Sequence, residues 1–219
     1  IGVYADGKYT FDHSGTDAKI NVGTNALGIY AKNTNGTLNI NAPIELDASG
    51  TGDNKGTTIG IYSDGDAKVK FGDNSKLTIG EGAVGLYSSD ATKFNNTFEI
   101  ETGKKLTVEL GKNSTFALLN GNKSVTTSPL LSKYLNNGTT DKIEITQFGE
   151  GASLFYATSK AKAVLDTDYT VANGAAASTS VLVANDGANV EIANGKTLTT
   201  NTNVGLIATR GVGVSGSGS

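Results

Sequence analysis

Cysteine, methionine and tryptophan are absent from the 219 residues, and proline occurs only twice. Without cysteine the chain cannot form a disulfide, so an oxidising compartment is neither required nor excluded. The chain has no basic run and its net charge is −3, which argues against the phosphate-neutralising surface of a nucleic-acid-binding protein. No apolar run approaches the length that a membrane-spanning helix needs.

Residues suited to catalysis are also scarce. His13 is the only histidine and Arg210 the only arginine, whereas enzymes built on parallel β-helices act on polysaccharides with clustered Asp and a nearby Arg, Lys or His. His13 lies in a turn-like segment, and a Ser-His-Asp triad would depend on it alone. Asp64 and Asp66 could supply oxygen ligands to calcium, but Asp-Gly-Asp is more typical of a turn between strands. We therefore predict no catalytic residue, no cofactor and no metal site.

One five-residue pattern recurs along the chain: a large apolar residue, glycine, an aliphatic residue, tyrosine and a small residue. Its clear copies are 1–5, 27–31, 59–63 and 84–88. Weaker copies are 116–120, 153–157, 181–184 and 204–208. Self-similarity at a spacing within roughly 20–50 residues indicates one structural unit stacked many times.

Short segments of alternating apolar and polar residues, bounded by Gly, Asn or Asp, separate the copies. In the third unit, Val69 and Phe71 form one such segment, and Leu77 and Ile79 form the next. Three strands per unit predict an all-β fold, a parallel β-helix of about seven to eight three-stranded coils. A β-sandwich or barrel of antiparallel hairpins is the alternative, and it is less favoured because one particular strand recurs.

The chain 1–219 is predicted to be a single β-helix fragment, because it begins in mid-motif without a methionine. Its predicted parts are regular coils over 1–122, an insertion over 123–141, further coils over 142–210, and a flexible end or added tag over 211–219. Two shorter insertions are predicted at 48–58 and 89–96.

A short helical excursion is predicted near 129–136, within the largest insertion. Ser128 is suited to the N-cap, Pro129 to the first helical position, and Asn137 with Gly138 to the helix end. Apolar residues at helical spacing lie between them, so we expect this helix to pack on the coils.

In a strand alternate residues face opposite sides, so positions one, three and five of the motif are predicted to face inward and Gly and Tyr outward. The candidate ligand contacts are then a tyrosine stripe, interrupted at Leu119, and four insertion residues: Tyr4, Tyr30, Tyr62, Tyr87, Tyr156, Asp53, Lys55, Lys133 and Tyr134. The stripe is either a ladder that stiffens the sheet or a platform for carbohydrate or protein. A bulge that turned tyrosine inward is a third possibility.

The segment from Lys76 to Ser88, with Leu-Thr-Ile-Gly-Glu-Gly followed by Ala-Val-Gly-Leu-Tyr-Ser, resembles the repeat unit of type V autotransporter passenger domains, particularly fusobacterial ones. The resemblance covers most of the first 120 residues. It implies a right-handed β-helix that is displayed on the bacterial cell surface or secreted, and joined to the membrane only through a C-terminal β-barrel outside this chain.

The resemblance implies a non-enzymatic adhesin segment that attaches to a protein or glycan on host cells or other bacteria, and it carries over no catalytic residue. The alternative is a purely structural stalk with the binding site elsewhere in a longer protein. A polysaccharide-acting β-helix enzyme is the least favoured interpretation. The oligomeric state stays open.

Overall fold

The computed structural model shows an all-β protein with parallel sheets. It describes residues 1–7, 9–11, 18–32, 36–40, 44–48, 58–64, 67–72, 75–88, 97–121, 134–135, 142–171, 179–200, 205–208 and 213–216.

Sheet 1 contains one strand from every repeat of the motif. In spatial order its eight strands are β1 (Val3–Asp6), β4 (Leu27–Lys32), β7 (Ile59–Asp64), β10 (Val84–Ser88), β13 (Thr115–Asn120), β15 (Ser153–Thr158), β18 (Ser180–Ala184) and β21 (Gly205–Ala208).

Sheets 2 and 3 take the two strands that follow each motif in the first half of the chain. Sheet 2 consists of β2 (Tyr9–Phe11), β5 (Thr37–Ile40), β8 (Lys68–Phe71) and β11 (Phe98–Ile100). Sheet 3 consists of β3 (Ala18–Val22), β6 (Ile44–Ala48), β9 (Ser75–Ile79), β12 (Lys105–Leu110) and β14 (Lys142–Phe148).

Sheets 4 and 5 take the corresponding strands in the second half. Sheet 4 consists of β16 (Lys162–Leu165), β19 (Asn189–Ile192) and β22 (Gly213–Gly216), and sheet 5 of β17 (Tyr169–Thr170) and β20 (Leu198–Thr199).

The strand order shows that the chain visits the sheets in turn and then returns to sheet 1. Each strand of sheet 1 pairs in parallel with the next motif strand, never with its neighbour in sequence. All strand pairs in the described part of the chain are parallel. The all-β prediction is confirmed, and antiparallel hairpins are the wrong alternative here.

Alternation of side chains builds a continuous apolar core between the sheets. In β12 the side chains of Leu106, Val108 and Leu110 are 0% exposed, while Thr107 and Glu109 between them are partly exposed. The same two-residue period recurs in β8, β9 and β11. Each fully buried Leu, Ile or Phe contributes about 1.5–3 kcal/mol of transfer free energy. Burial of the core is therefore the largest favourable contribution to folding.

The outer face of sheet 3 carries ion pairs between strands. Lys76 Nζ lies 3.0 Å from Glu109 Oε2, and Lys105 Nζ lies 2.7 Å from Glu144 Oε2. The hydrogen bond from Lys105 lowers the pKa of Glu144 below its ordinary value. Because these groups are about one-third exposed or more, each pair contributes at most about 1 kcal/mol.

Four turns that lead into sheet 1 share one sequence form: Gly, any residue, Asn or Gly, then Ala or Ser. They are 23–26, 80–83, 111–114 and 149–152. In each, the fourth residue donates its backbone N–H to the first, and the third has positive φ, as in type II turns. Asn and Gly tolerate that conformation better than other residues.

These turns stack closely from unit to unit. A Cβ at Gly149 would lie 2.6 Å from the backbone carbon of Gly111 and 2.9 Å from the carbonyl oxygen of Leu110. Gly23 is the first residue of the equivalent turn beside the edge strand β3, and a Cβ there would meet nothing within 4 Å.

Of the predicted helix near 129–136, only Tyr134 and Leu135 lie among the described residues, where they form part of a 3₁₀ turn. Their side chains are 6% and 1% exposed and belong to the main core. Between β13 and β14 the described chain adds no strand to sheet 2. This insertion therefore contributes two core residues at the one unit that has no described second strand.

Replacing Gly149 with Ala is expected to destabilise the fold by about 1–3 kcal/mol, because the new methyl group meets backbone that cannot rotate away. The matched control, Gly23→Ala, is expected to change stability far less. Urea unfolding followed by circular dichroism measures both. Equal midpoints for the two variants would contradict close turn stacking.

Candidate functional site

The tyrosine row, defined as Tyr4, Tyr30, Tyr62 and Tyr87, is the most distinctive surface feature of the described chain. Its members are direct Cα partners on β1, β4, β7 and β10 of sheet 1. The same position is held by Leu118 on β13, Tyr156 on β15 and Val183 on β18. The predicted tyrosine stripe, which also includes Tyr156, is therefore interrupted at Leu118 and not, as the motif alignment predicts, at Leu119.

All members of the row face outward. Tyr4, on the edge strand, is 55% exposed, and the other three rings are partly exposed. Residues before and after them, such as Leu86 and Ser88 around Tyr87, are 0% exposed. An inverted alternation with buried tyrosine does not occur in this row.

The prediction that the motif glycine faces outward is wrong. Gly28, Gly60 and Gly85 are buried, and a Cβ at Gly85 would collide with the side chain of Ile79 in sheet 3. In the later copies, Phe116 and other large side chains take this position at 0% exposure. The glycine therefore makes room for core side chains and not for the tyrosine ring.

The rings of the row stack on one another. Ring centroids are 5.5 Å apart for Tyr4 and Tyr30, 5.2 Å for Tyr30 and Tyr62, and 5.0 Å for Tyr62 and Tyr87. The angles between ring planes are 19°, 28° and 35° in the same order. These separations are typical of favourable offset stacking, which stabilises the pairing of the strands.

The tyrosine hydroxyl groups form hydrogen bonds with polar side chains that lie two residues after the tyrosine position of the motif, on the same strand or on the neighbouring one. Tyr30 donates to Asp64 Oδ2 at 2.9 Å, and Tyr4 donates to Asp6 Oδ2 at 3.3 Å. The hydroxyl oxygens of Tyr87 and Tyr156 instead accept hydrogen bonds from the side-chain amides of Asn120, at 3.2 Å, and Asn185, at 2.8 Å.

Two tyrosines have strongly raised pKa values for different reasons. The hydrogen bond to the Asp64 carboxylate raises the pKa of Tyr30 to about 12, with burial and charge repulsion from Asp64 adding to the effect. Burial alone raises the pKa of Tyr169 to about 12, since this residue of β17 in sheet 5 is only 7% exposed. Both phenols therefore stay protonated across the neutral range.

The stacked arrangement limits what the row can bind. A sugar ring or a planar ligand packs against the face of an aromatic ring, but the inner faces of the row are covered by neighbouring rings. The row instead presents ring edges and hydroxyl groups. The stiffening ladder fits this geometry better than the carbohydrate platform.

Only one of the four candidate contacts in the insertions lies among the described residues. Asp53, Lys55 and Lys133 lie outside the described residues. Tyr134 lies in the core, so it presents almost no surface to a ligand.

Other chemistry is limited to what the described residues contain. Within them, no group of three or more His, Asp or Glu side chains is close enough to hold a metal ion. Asp64, one of the residues weighed for calcium, accepts the Tyr30 hydrogen bond. His13 and Arg210 lie outside the described part of the chain. Among the described residues no helix has the length and apolar character needed to cross a membrane.

Comparison of the chain with protein-family models, curated proteins and solved structures gives no match. Function is therefore argued from the residues and their geometry.

Sequence reasoning missed the residues that hydrogen-bond to the hydroxyl groups, namely Asp6, Asp64, Asn120 and Asn185. A signal for them exists, because a polar residue follows two positions after the ring in most copies of the motif. It is weak, since Asp64 and Asn120 each contact the ring of the previous unit and not their own.

Replacing Tyr62 with Ala is expected to cost more stability than replacing Tyr156 with Ala, because Tyr62 stacks on two rings whereas Tyr156 lies between Leu118 and Val183. Because an aromatic pair contributes about 0.5–1.5 kcal/mol beyond the area it buries, the two ring contacts of Tyr62 give an expected difference of about 1–3 kcal/mol. Urea unfolding of both variants provides the measurement. Equal losses would show that ring stacking adds nothing to burial.

Asp64→Asn is expected to lower the pKa of Tyr30 from about 12 towards its ordinary value of 10.0. A raised folded-state pKa stabilises the fold fully below pH 10, and that contribution is lost as the pH rises from 10 to about 12. Tyrosinate absorbance against pH measures the shift, with Tyr30→Phe identifying the band of Tyr30 and Tyr169 remaining as a late-titrating reference. An unchanged titration in Asp64→Asn would refute the role of the carboxylate.

Proposed function

We propose that the sheets form the walls of a right-handed β-helix of about seven to eight coils, with one strand of sheet 1 in each coil. The repeated return of the chain to sheet 1 after strands in other sheets supports this winding. A right-handed sense agrees with the strong general preference of parallel crossover connections.

We propose that this β-helix is a non-enzymatic adhesin segment of a bacterial autotransporter passenger, displayed on the cell surface or secreted. Its partner is a protein or glycan on host cells or on other bacteria. The observation that carries the proposal is the persistence of register in sheet 1 across insertions. Strands β13 and β15 stay paired from Thr115 with Ser153 to Asn120 with Thr158, although the 123–141 insertion lies between them.

Long insertions on an invariant scaffold are the arrangement in which loops carry recognition. The insertions 48–58, 89–96 and 123–141 are therefore the proposed contact regions. The last is anchored through Tyr134 and Leu135 in the core, which ties its path to the scaffold. Anchoring of this kind reduces the conformational entropy that a loop loses on binding.

A structural stalk is the second candidate, favoured because side chains on the described outer faces already interact with one another. The tyrosine row is stacked and hydrogen-bonded, and sheet 3 carries Lys–Glu pairs such as Lys105 with Glu144. Such ladders stiffen a long sheet without any partner.

The test measures binding of the purified chain to cultured host cells and to bacterial cells. Deleting all of 123–141 would also remove Tyr134 and Leu135 from the core. The informative variant therefore replaces only 123–132 with a Gly–Ser sequence of equal length. A matched control replaces 172–178, which is not a predicted contact region, in the same way.

An adhesin segment is expected to bind at least one surface, and the 123–132 variant is expected to bind at least several-fold more weakly than the 172–178 variant. Unfolding midpoints near that of the parent chain would exclude a folding defect. Binding to neither kind of cell would contradict the adhesin proposal and favour the stalk. Undiminished binding of the 123–132 variant would move the contact to 48–58 or 89–96.

A further inference from the structure

The first two rings of the tyrosine row, Tyr4 and Tyr30, lie in a geometry suited to a reaction between them. Tyr4 and Tyr30 are Cα partners on paired parallel strands, and their rings are the most nearly parallel in the row, with 19° between planes and 5.5 Å between centroids. Strand pairing keeps the two rings adjacent. A reactive species formed on one ring therefore meets the other before it meets another molecule.

Both phenols of this pair have a proton acceptor in place. The Tyr30 hydroxyl donates to the Asp64 carboxylate at 2.9 Å, and the Tyr4 hydroxyl donates to the Asp6 carboxylate at 3.3 Å. A phenol that loses one electron becomes a strong acid and releases its proton at once. A carboxylate already hydrogen-bonded to the hydroxyl receives that proton without any rearrangement.

Access to an oxidant is provided at one end of the pair. Tyr4 is 55% exposed, so an electron can leave it directly, and Tyr30 is in ring contact with it. Tyr9 is almost as exposed, at 51%, but its partner on the neighbouring strand is Leu38. Tyr9 therefore shares the accessibility of Tyr4 and lacks a stacked phenol.

We propose that Tyr4 and Tyr30 form an oxidative cross-linking site that yields an intramolecular dityrosine when a haem peroxidase and hydrogen peroxide act on the protein. Each phenol gives one electron to the peroxidase and one proton to its carboxylate, which passes the proton to water. Hydrogen peroxide takes up the two electrons and two protons and becomes two molecules of water.

The two phenoxyl radicals then join through ring carbons next to the hydroxyl groups, forming one carbon–carbon bond. The hydrogen on each joined carbon is lost as the ring regains aromaticity, and each oxygen regains a proton. The product therefore lacks two hydrogen atoms relative to the parent chain. The bond would fasten the first two strands of sheet 1 covalently.

The test treats the full chain, at dilute concentration, with a haem peroxidase and hydrogen peroxide. Dityrosine fluorescence and mass spectrometry after cleavage at lysine are the readouts. The expected product is a pair of peptides, containing Tyr4 and Tyr30, joined with the loss of two hydrogen atoms. Tyr9→Phe is expected to leave its yield unchanged, and Tyr30→Phe to abolish it.

The Asp64→Asn variant lacks the carboxylate that accepts the proton of Tyr30 but keeps both rings. Its yield of the Tyr4–Tyr30 product is expected to fall several-fold. Unfolding midpoints of all variants exclude loss of the fold as a cause. Cross-links that form only between molecules, or a yield at Tyr9 equal to that at Tyr4, would overturn the proposal. So would a product confined to Tyr62 and Tyr87, or an Asp64→Asn yield equal to that of the parent chain.

Discussion

In-register parallel pairing is the interaction on which the rest of this structure depends. Along β1, β4, β7 and β10 of sheet 1, each residue lies beside the same motif position on the neighbouring strand, so each position must accept a neighbour of its own type. Apolar residues satisfy this in the core, as Ile29, Ile61 and Leu86 do at the third position. Tyrosine satisfies it outside by stacking. Like charges in register need a counter-charge: on sheet 3, Lys105 lies beside Lys142, and Glu144 forms an ion pair with both.

Close stacking of backbones at the turns is the second condition, and it follows from the first. If strands are to stay in register through many units, the turns between them must superimpose as well. Gly149 lies against Gly111 with no room for a methyl group. Gly85 meets the same demand inside the core, where Ile79 fills the space that a side chain would take. At Gly149 and Gly85, glycine is therefore a packing requirement.

Much of the fold could be predicted from the sequence because alternation and repetition are local signals. The strands around Val69 and Leu77 lie where the pattern indicates, and they pair in parallel as the repeat predicts. The inward orientation of Gly85 could not be predicted, because alternation along one strand does not take account of contacts with another sheet. The sequence predicts the interruption of the tyrosine stripe at Leu119 and not at Leu118, because consecutive apolar residues have no alternation that fixes the register.

The candidate site was predictable in position but not in character. The four clear copies of the motif each place a tyrosine on the outer face, and the structure shows these four side by side. Whether such rings bind a ligand depends on whether their faces are free, and that depends on spacing between strands, which no linear pattern contains. The hydrogen bond from Tyr30 to Asp64 joins residues in different units, so it too is invisible along the chain.

The same regularity bears on where recognition can arise. A row of rings that cover one another, with hydroxyl groups already bonded, has few unsatisfied groups to offer a partner. Strands β13 and β15 keep their register although the 123–141 insertion lies between them, so at this point the length of chain varies without a shift in sheet 1. Tyr134 and Leu135 illustrate the link, because an insertion that buries two of its own residues is positioned by the core from which it departs. Under the proposed function, the stacked sheets serve as a rigid frame and the insertions carry recognition.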